Sequence, residues 1–160
     1  MSKLILVGFG LAAFILIAAF FLARISHSGI PHTLINGRLQ DCPDTPNCVS
    51  SEDNGIDPIH FDAQQAPFVW KKMQLIITEQ GGQILMANPE YLWASFATPF
   101  FGFTDDVEAR IDFKENIIHL RSASRIGHYD FGTNKRRLQK IKEKMNAYYL
   151  NREKLKNIHE

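Results

Sequence analysis

The hydrophobic pattern divides the chain into three parts. From Leu4 to Ala23 no charged side chain occurs, and Lys3 and Arg24 bracket the run. Twenty residues at about 1.5 Å each span about 30 Å, the thickness of a bilayer core. A cleaved signal peptide would have a shorter apolar core and a small-x-small site before a polar start. The residues Ala18-Ala19-Phe20 and Leu22-Ala23-Arg24 offer no clean site. Residues 1–24 are therefore expected to be an uncleaved transmembrane signal anchor. From Arg24 to Asp62 the pattern is lost among turn formers: Asn36-Gly37, Pro43, Pro46, Asn54-Gly55 and Pro58. Residues 25–38 read as a tether, and 39–62 as the irregular start of a soluble domain over 39–160.

Periodicity returns at Pro67. Val69, Met73, Ile76 and Ile77 recur at helical spacing, with proline in the first turn and Gly81-Gly82 as the stop. Strands follow at 83–87 and 91–98. The second is apolar on both faces and is expected to be covered on both sides. The clearest hairpin pairs 106–113 with 117–125. Val107, Ala109, Ile111 and Phe113 share one face; Asp106, Glu108, Arg110 and Asp112 share the other. A two-residue turn at Glu115-Asn116 would set Phe113 opposite Ile118 and Asp106 opposite Arg125. It would also set Arg121 against Arg110, a like-charge pair. A last helix is predicted from about Asn134 to Lys156, capped by Thr133 or Asn134, with Leu138, Ile141, Met145, Tyr148 and Tyr149 as its buried stripe. The fold class is α+β: an antiparallel sheet of about four strands, two helices packed on it, and an N-terminal transmembrane helix in front.

Charge changes the picture little overall and more locally. The formal net charge is +1, which points away from nucleic acid as a partner. Residues 133–160 carry nine Lys or Arg and three Glu, while the remainder carries nine basic and fourteen acidic side chains. A basic helix therefore follows an acidic body, either a solvated helix face or a surface for anionic lipid or an acidic partner. Cys42 and Cys48 are the only cysteines. Five intervening residues with two prolines suit a local disulfide in an oxidising compartment. Free thiols are the alternative, and metal or redox chemistry a weaker one, since no Cys-x-x-Cys pair occurs.

Candidate chemistry concentrates between Gly102 and Asn134. The polar hairpin face gathers Asp106, Glu108, Arg121 and Arg125. Arginine–carboxylate pairs of this kind either fix strand register or form an anion site. Catalysis by the two acids is disfavoured, because neighbouring guanidiniums lower carboxylate pKa values. Asp105 points to the opposite face, as do Ser122 and Ser124. Asp130 and Asn134 sit where the strand turns into the basic helix, whose free amides suit either an anion or Asp130 as an internal cap. These six residues, Asp106, Glu108, Arg121, Arg125, Asp130 and Asn134, are the expected ligand-binding set. The phenylalanines at 96, 100, 101 and 103 read as core or as a loop meeting lipid or a partner. No phosphate-loop, dinucleotide, nucleophile-elbow or zinc-helix motif occurs, so no cofactor or metal is expected.

Three ordered motifs carry a family resemblance. They are Cys-Pro-Asp-Thr-Pro-Asn-Cys-Val-Ser-Ser at 42–51, Gly-Phe-Thr-Asp-Asp-Val-Glu at 102–108, and Arg-Ser-Ala-Ser-Arg-Ile-Gly-His-Tyr-Asp-Phe-Gly-Thr-Asn at 121–134, the last followed by a helix with Arg137. Over about Leu39 to Tyr148 the chain resembles the domain of unknown function 1499 family. The resemblance implies a bacterial protein, secreted or membrane-anchored, and transfers no catalytic residues. The expected role is a single-pass inner-membrane protein with a periplasmic domain that binds a partner protein, an anionic ligand or lipid head groups without catalysis. A hydrolase acting on an envelope substrate and an accessory subunit of a membrane complex are the alternatives.

Overall fold

The computed structural model describes residues 2–29, 33–53, 55–98 and 102–159. Its elements are α1 (Ser2–Ser26), β1 (Cys48–Ser50), β2 (Ile59–His60), α2 (Ala66–Glu79), β3 (Gln83–Ala87), β4 (Tyr91–Ala97), β5 (Thr104–Asp112), β6 (Ile117–Ser124) and α3 (Thr133–His159). The strands form one antiparallel sheet in the order β1-β6-β5-β4-β3, and β2 also pairs with β6. The domain is α+β, with α2 and α3 on one face of that sheet. The four expected strands are β3 to β6. The segment read as irregular adds β1 and β2, which at three and two residues are too short for alternation to register.

Local chemistry explains the element ends. Helix α2 buries Val69, Trp70, Met73, Ile76 and Ile77 and stops at Gly81, whose φ is 88°. Gly81 N–H donates to the Thr78 carbonyl and Gly82 N–H to the Ile77 carbonyl, which together satisfy the last turn. Helix α3 begins at Thr133, but neither Thr133 nor Asn134 caps it. The Asp130 carboxylate takes the amides of Gly132 and Asn134, at 2.9 and 2.7 Å. The carboxylate three residues upstream of Thr133 reaches both amides at once, and the Asn134 side chain is free to turn inward.

The β5–β6 hairpin differs from expectation by a shift of two. Ile111 lies opposite Ile118, and Asp112 opposite Ile117. The turn is four residues, Phe113 to Asn116, and not two. Asp112 Oδ1 accepts from the amides of Lys114 and Glu115, and Asn116 closes the turn at φ 56°. Phe113 leaves the apolar face and is exposed. An even shift preserves which side chains share a face, so Glu108 and Arg121 become direct neighbours. Arg110 meets His119 in place of Arg121, which removes the expected like-charge clash.

One side of the sheet carries the core. Leu92, Ala94, Val107, Ala109, Ile118 and Leu120 pack against α2 and against Leu138, Ile141 and Met145 of α3. On the other side Tyr91 and Trp93 are covered by Leu39 and Leu34. Strand β4 is thus buried on both faces, as its apolar run requires. At the sheet edge β3 carries a register shift between Ile84 and Met86.

Helix α1 is long and apolar enough to cross a membrane by length and composition, as an anchor or a signal sequence is. Its last turn touches the sheet: Thr104 N–H donates to Ser26 Oγ at 3.1 Å. The stretch read as a tether therefore begins with fixed contacts.

Gly82 lies against both α2 and β4. A Cβ there would lie 2.6 Å from the Phe96 ring and 2.8 Å from Ile77 Cγ2. Both neighbours are buried. Gly82→Ala should cost about 1–3 kcal/mol, as overpacking does, seen as a lower urea midpoint of the full chain in detergent. An unchanged midpoint would show that this contact relaxes freely.

Candidate functional site

The outward face of the hairpin brings four charges together and holds three of them out of water. Asp106 is 2%, Glu108 0% and Arg121 4% exposed. An ion desolvated to this degree persists only with close partners. Arg125 forms a two-pronged pair with Asp106, Nε to Oδ2 and Nη2 to Oδ1, both 2.8 Å. Trp93 Nε1 donates to the same carboxylate at 2.7 Å. Arg121 Nη1 donates to Glu108 Oε2 at 2.6 Å, and the Tyr91 hydroxyl to Oε1 at 2.8 Å. Burial, with Glu108 beside it, raises the Tyr91 phenol well above its ordinary pKa, so it stays a donor. The expected foursome is therefore together. Arg125 does one thing more: its Nη1 donates to the carbonyls of Ser26 and His27 at 3.1 and 3.0 Å. One guanidinium ties β5 to the end of α1, where a cation also suits the helix C-terminus.

The inward face carries a second polar cluster around Asn134. Its amide donates to the Asn47 carbonyl at 2.9 Å and to Ser124 Oγ at 3.0 Å, and its Oδ1 accepts from Ser122 Oγ and Arg137 Nη1. Arg137 Nη2 reaches Asp105 Oδ2 at 2.7 Å, and its guanidinium lies 4.7 Å from the Phe96 ring centre. Asn134 thus holds α3 to the sheet, on the far side from Asp106 and Glu108, while Asp130 caps the helix. Asp105 and Arg137 stand outside the expected set. The available signal was parity: a carboxylate on the inward face of a strand, beside two serines, calls for a buried cation.

A third cluster lies at the turn end of the hairpin. Glu52 bridges Arg38 and Arg110 at 2.7 and 2.9 Å. Ser51 Oγ accepts from the Leu120 amide at 2.9 Å and meets His119 Nδ1 at 3.2 Å. That hydroxyl is buried and engaged on both sides, so it joins β1 to β6. Burial first, and Arg110 next, hold the His119 pKa below its ordinary value.

Two clefts open on the outward face. One, of about 650 Å³, is lined by Arg38, Glu52, His60, Arg110 and His119. The other, of about 410 Å³, lies between the end of α1 and β6, lined by Ile25, Ser26, Gly29, Asp106, Arg121 and Arg125 among others. Arg121 Nε is out of water and has no acceptor there. Among the described residues no group of three or more His, Cys, Asp or Glu is arranged to hold a metal ion. Cys42 and Cys48 are joined as a disulfide, and the loop they close presents Asn47 to the Asn134 cluster. Phe96 belongs to the core, whereas Phe100 and Phe101 lie outside the described residues.

The sequence profile described as Protein of unknown function (DUF1499) matches residues 38–145, well over half of the chain. The chain belongs to the DUF1499 family. The match takes in the residues of all three polar clusters and both cysteines of the DUF1499 domain, while the Ile25–Gly29 wall of the smaller cleft lies before it. No curated protein matches the chain.

Two measurements probe these clusters. Arg125→Ala would leave Asp106 without its bidentate partner and release the end of α1. A loss of about 3 kcal/mol in denaturant titration of the detergent-solubilised chain is expected, as for a broken buried pair; an unshifted midpoint would mean the network has no structural weight. His119 is depressed in the folded state, so the unfolded chain binds the proton first. Stability should be full above the ordinary histidine pKa of about 6.5 and fall as pH drops below it. Melting from about pH 8 to pH 5 should show that slope in the parent and a flatter one in His119→Gln. Equal slopes would remove His119 as the cause.

Proposed function

We propose that this DUF1499 protein is a single-pass membrane protein whose domain binds an anionic lipid head group without catalysis. The observation that carries the reading is the cleft between the end of α1 and β6. It is lined by Arg121, whose Nε lacks an acceptor, and walled by the residues with which an anchor would leave the bilayer. Nε is shielded from water, so a phosphate oxygen entering from the membrane side supplies the missing acceptor as the Ile25–Gly29 wall draws back, and guanidinium favours such oxygens. Asp106 does not repel it strongly, because Arg125 and Trp93 already hold that carboxylate. The disulfide supports an extracytoplasmic, periplasmic location for the domain. The hydrolase reading has weaker support: Asp106 and Glu108 are held by arginines, and His128 is exposed.

The test keeps the charge and removes the fork. Arg121→Lys retains a cation opposite Glu108 but has no Nε. Titration calorimetry of the full chain in neutral detergent should detect binding of dihexanoyl phosphatidylglycerol over the phosphatidylcholine analogue. The lysine variant should bind about tenfold more weakly, as expected for one lost hydrogen bond to a charged group. Equal affinity for the two lipids, or an unaffected variant with an unchanged urea midpoint, would refute the proposal.

A further inference from the structure

The connection from β6 to α3 contains a feature that neither packing nor the cleft explains. Phe131 has φ 55°, a left-handed conformation that a bulky side chain adopts at a cost. It is also 78% exposed, and neighbouring Tyr129 is 60% exposed. The two rings meet edge to face at 5.0 Å between centroids. The turn lets Asp130 cap α3, but that does not require the two rings to stand exposed. Yet the loop is firmly held. Asp130 grips the amides of Gly132 and Asn134, Arg136 Nη1 donates to the Phe131 carbonyl at 2.7 Å, and Asn47 Nδ2 to the Gly127 carbonyl at 2.6 Å.

Position supplies the reason. The loop leaves β6 at Arg125, the residue bonded to the carbonyls of Ser26 and His27 where α1 ends. Six residues at no more than about 3.5 Å each keep Phe131 within about 20 Å of that point. Strands β4 and β6 end, and β5 begins, at this same end of the sheet. Charge is consistent. Asp130 already meets the helix dipole, and the first turn of α3 adds exposed Lys135 and Arg136 with no further acid, the sign that suits an anionic surface.

We propose that the Gly127–Gly132 loop is a second membrane contact, with Tyr129 and Phe131 seated at the boundary of head groups and acyl chains and Lys135 and Arg136 among the phosphates. Aromatic rings favour that depth, and basic side chains beside them add attraction to anionic lipid. The inference rests on α1 spanning the bilayer but not on the cleft binding a head group.

Phe131→Trp tests it in the full chain, reconstituted in nanodiscs of anionic lipid with and without bromine on the upper acyl chain. The native Trp70 and Trp93 are buried and provide the background. The added tryptophan should emit at shorter wavelength than in water and lose most of its intensity to brominated lipid. Emission at the wavelength of water-exposed tryptophan, or emission indifferent to bromine, would overturn the contact while co-elution with the disc upholds the anchor. Failure to co-elute would overturn both.

Discussion

Desolvation of charge governs this domain. Glu108 has no exposed surface, and Asp105, Asp106 and Arg121 retain almost none. Charges in that condition tolerate few geometries, since an unpaired one costs several kcal/mol. The hairpin register, the placement of Tyr91 and Trp93 and the docking of α3 all meet that demand. Each acid of β5 finds its donors on other elements: Asp106 from β4 and the end of β6, Glu108 from β4 and β6, Asp105 from α3. Apolar burial brings the layers together, and the ion pairs then select one arrangement among those the core would allow.

The two faces of β5 divide this work. Inward, Asp105, Asn134 and Arg137 fasten α3 to the sheet through a helix whose own amides are satisfied by Asp130. Outward, Asp106 and Arg125 fasten the sheet to the last turn of α1. Successive residues thus face in opposite directions and connect to opposite ends of the chain. The Cys42–Cys48 loop joins the inward network through the Asn47 carbonyl. An Asp-Asp pair that resembles a catalytic dyad in one dimension is a pair of back-to-back anchors in three.

Much of this was legible in the sequence where periodicity is strong. Helix α2, its glycine stop and strands β3 to β6 follow from spacing alone, and alternation correctly separated Asp105 from Asp106. Parity survived an error in register because the error was even. What escaped was non-local. The turn length depends on Asp112 taking two amides, which side-chain alternation does not encode. Strands β1 and β2 exist because β6 offers an edge, and nothing within five residues announces that. Alternation put Arg125 beside Asp106, and that pair forms, but its reach to two carbonyls nearly a hundred residues away could not be read from it.

The bulge in β3 has a bearing on crowding. Where copies of one protein are crowded, a flat, uninterrupted strand edge becomes a template for unwanted pairing. The sheet offers no such template. On one side the ladder is interrupted between Ile84 and Met86, and on the other the edge is broken into two fragments of three and two residues. Interruptions of this kind frustrate continuous strand addition. Neither edge therefore presents an uninterrupted ladder to a second copy.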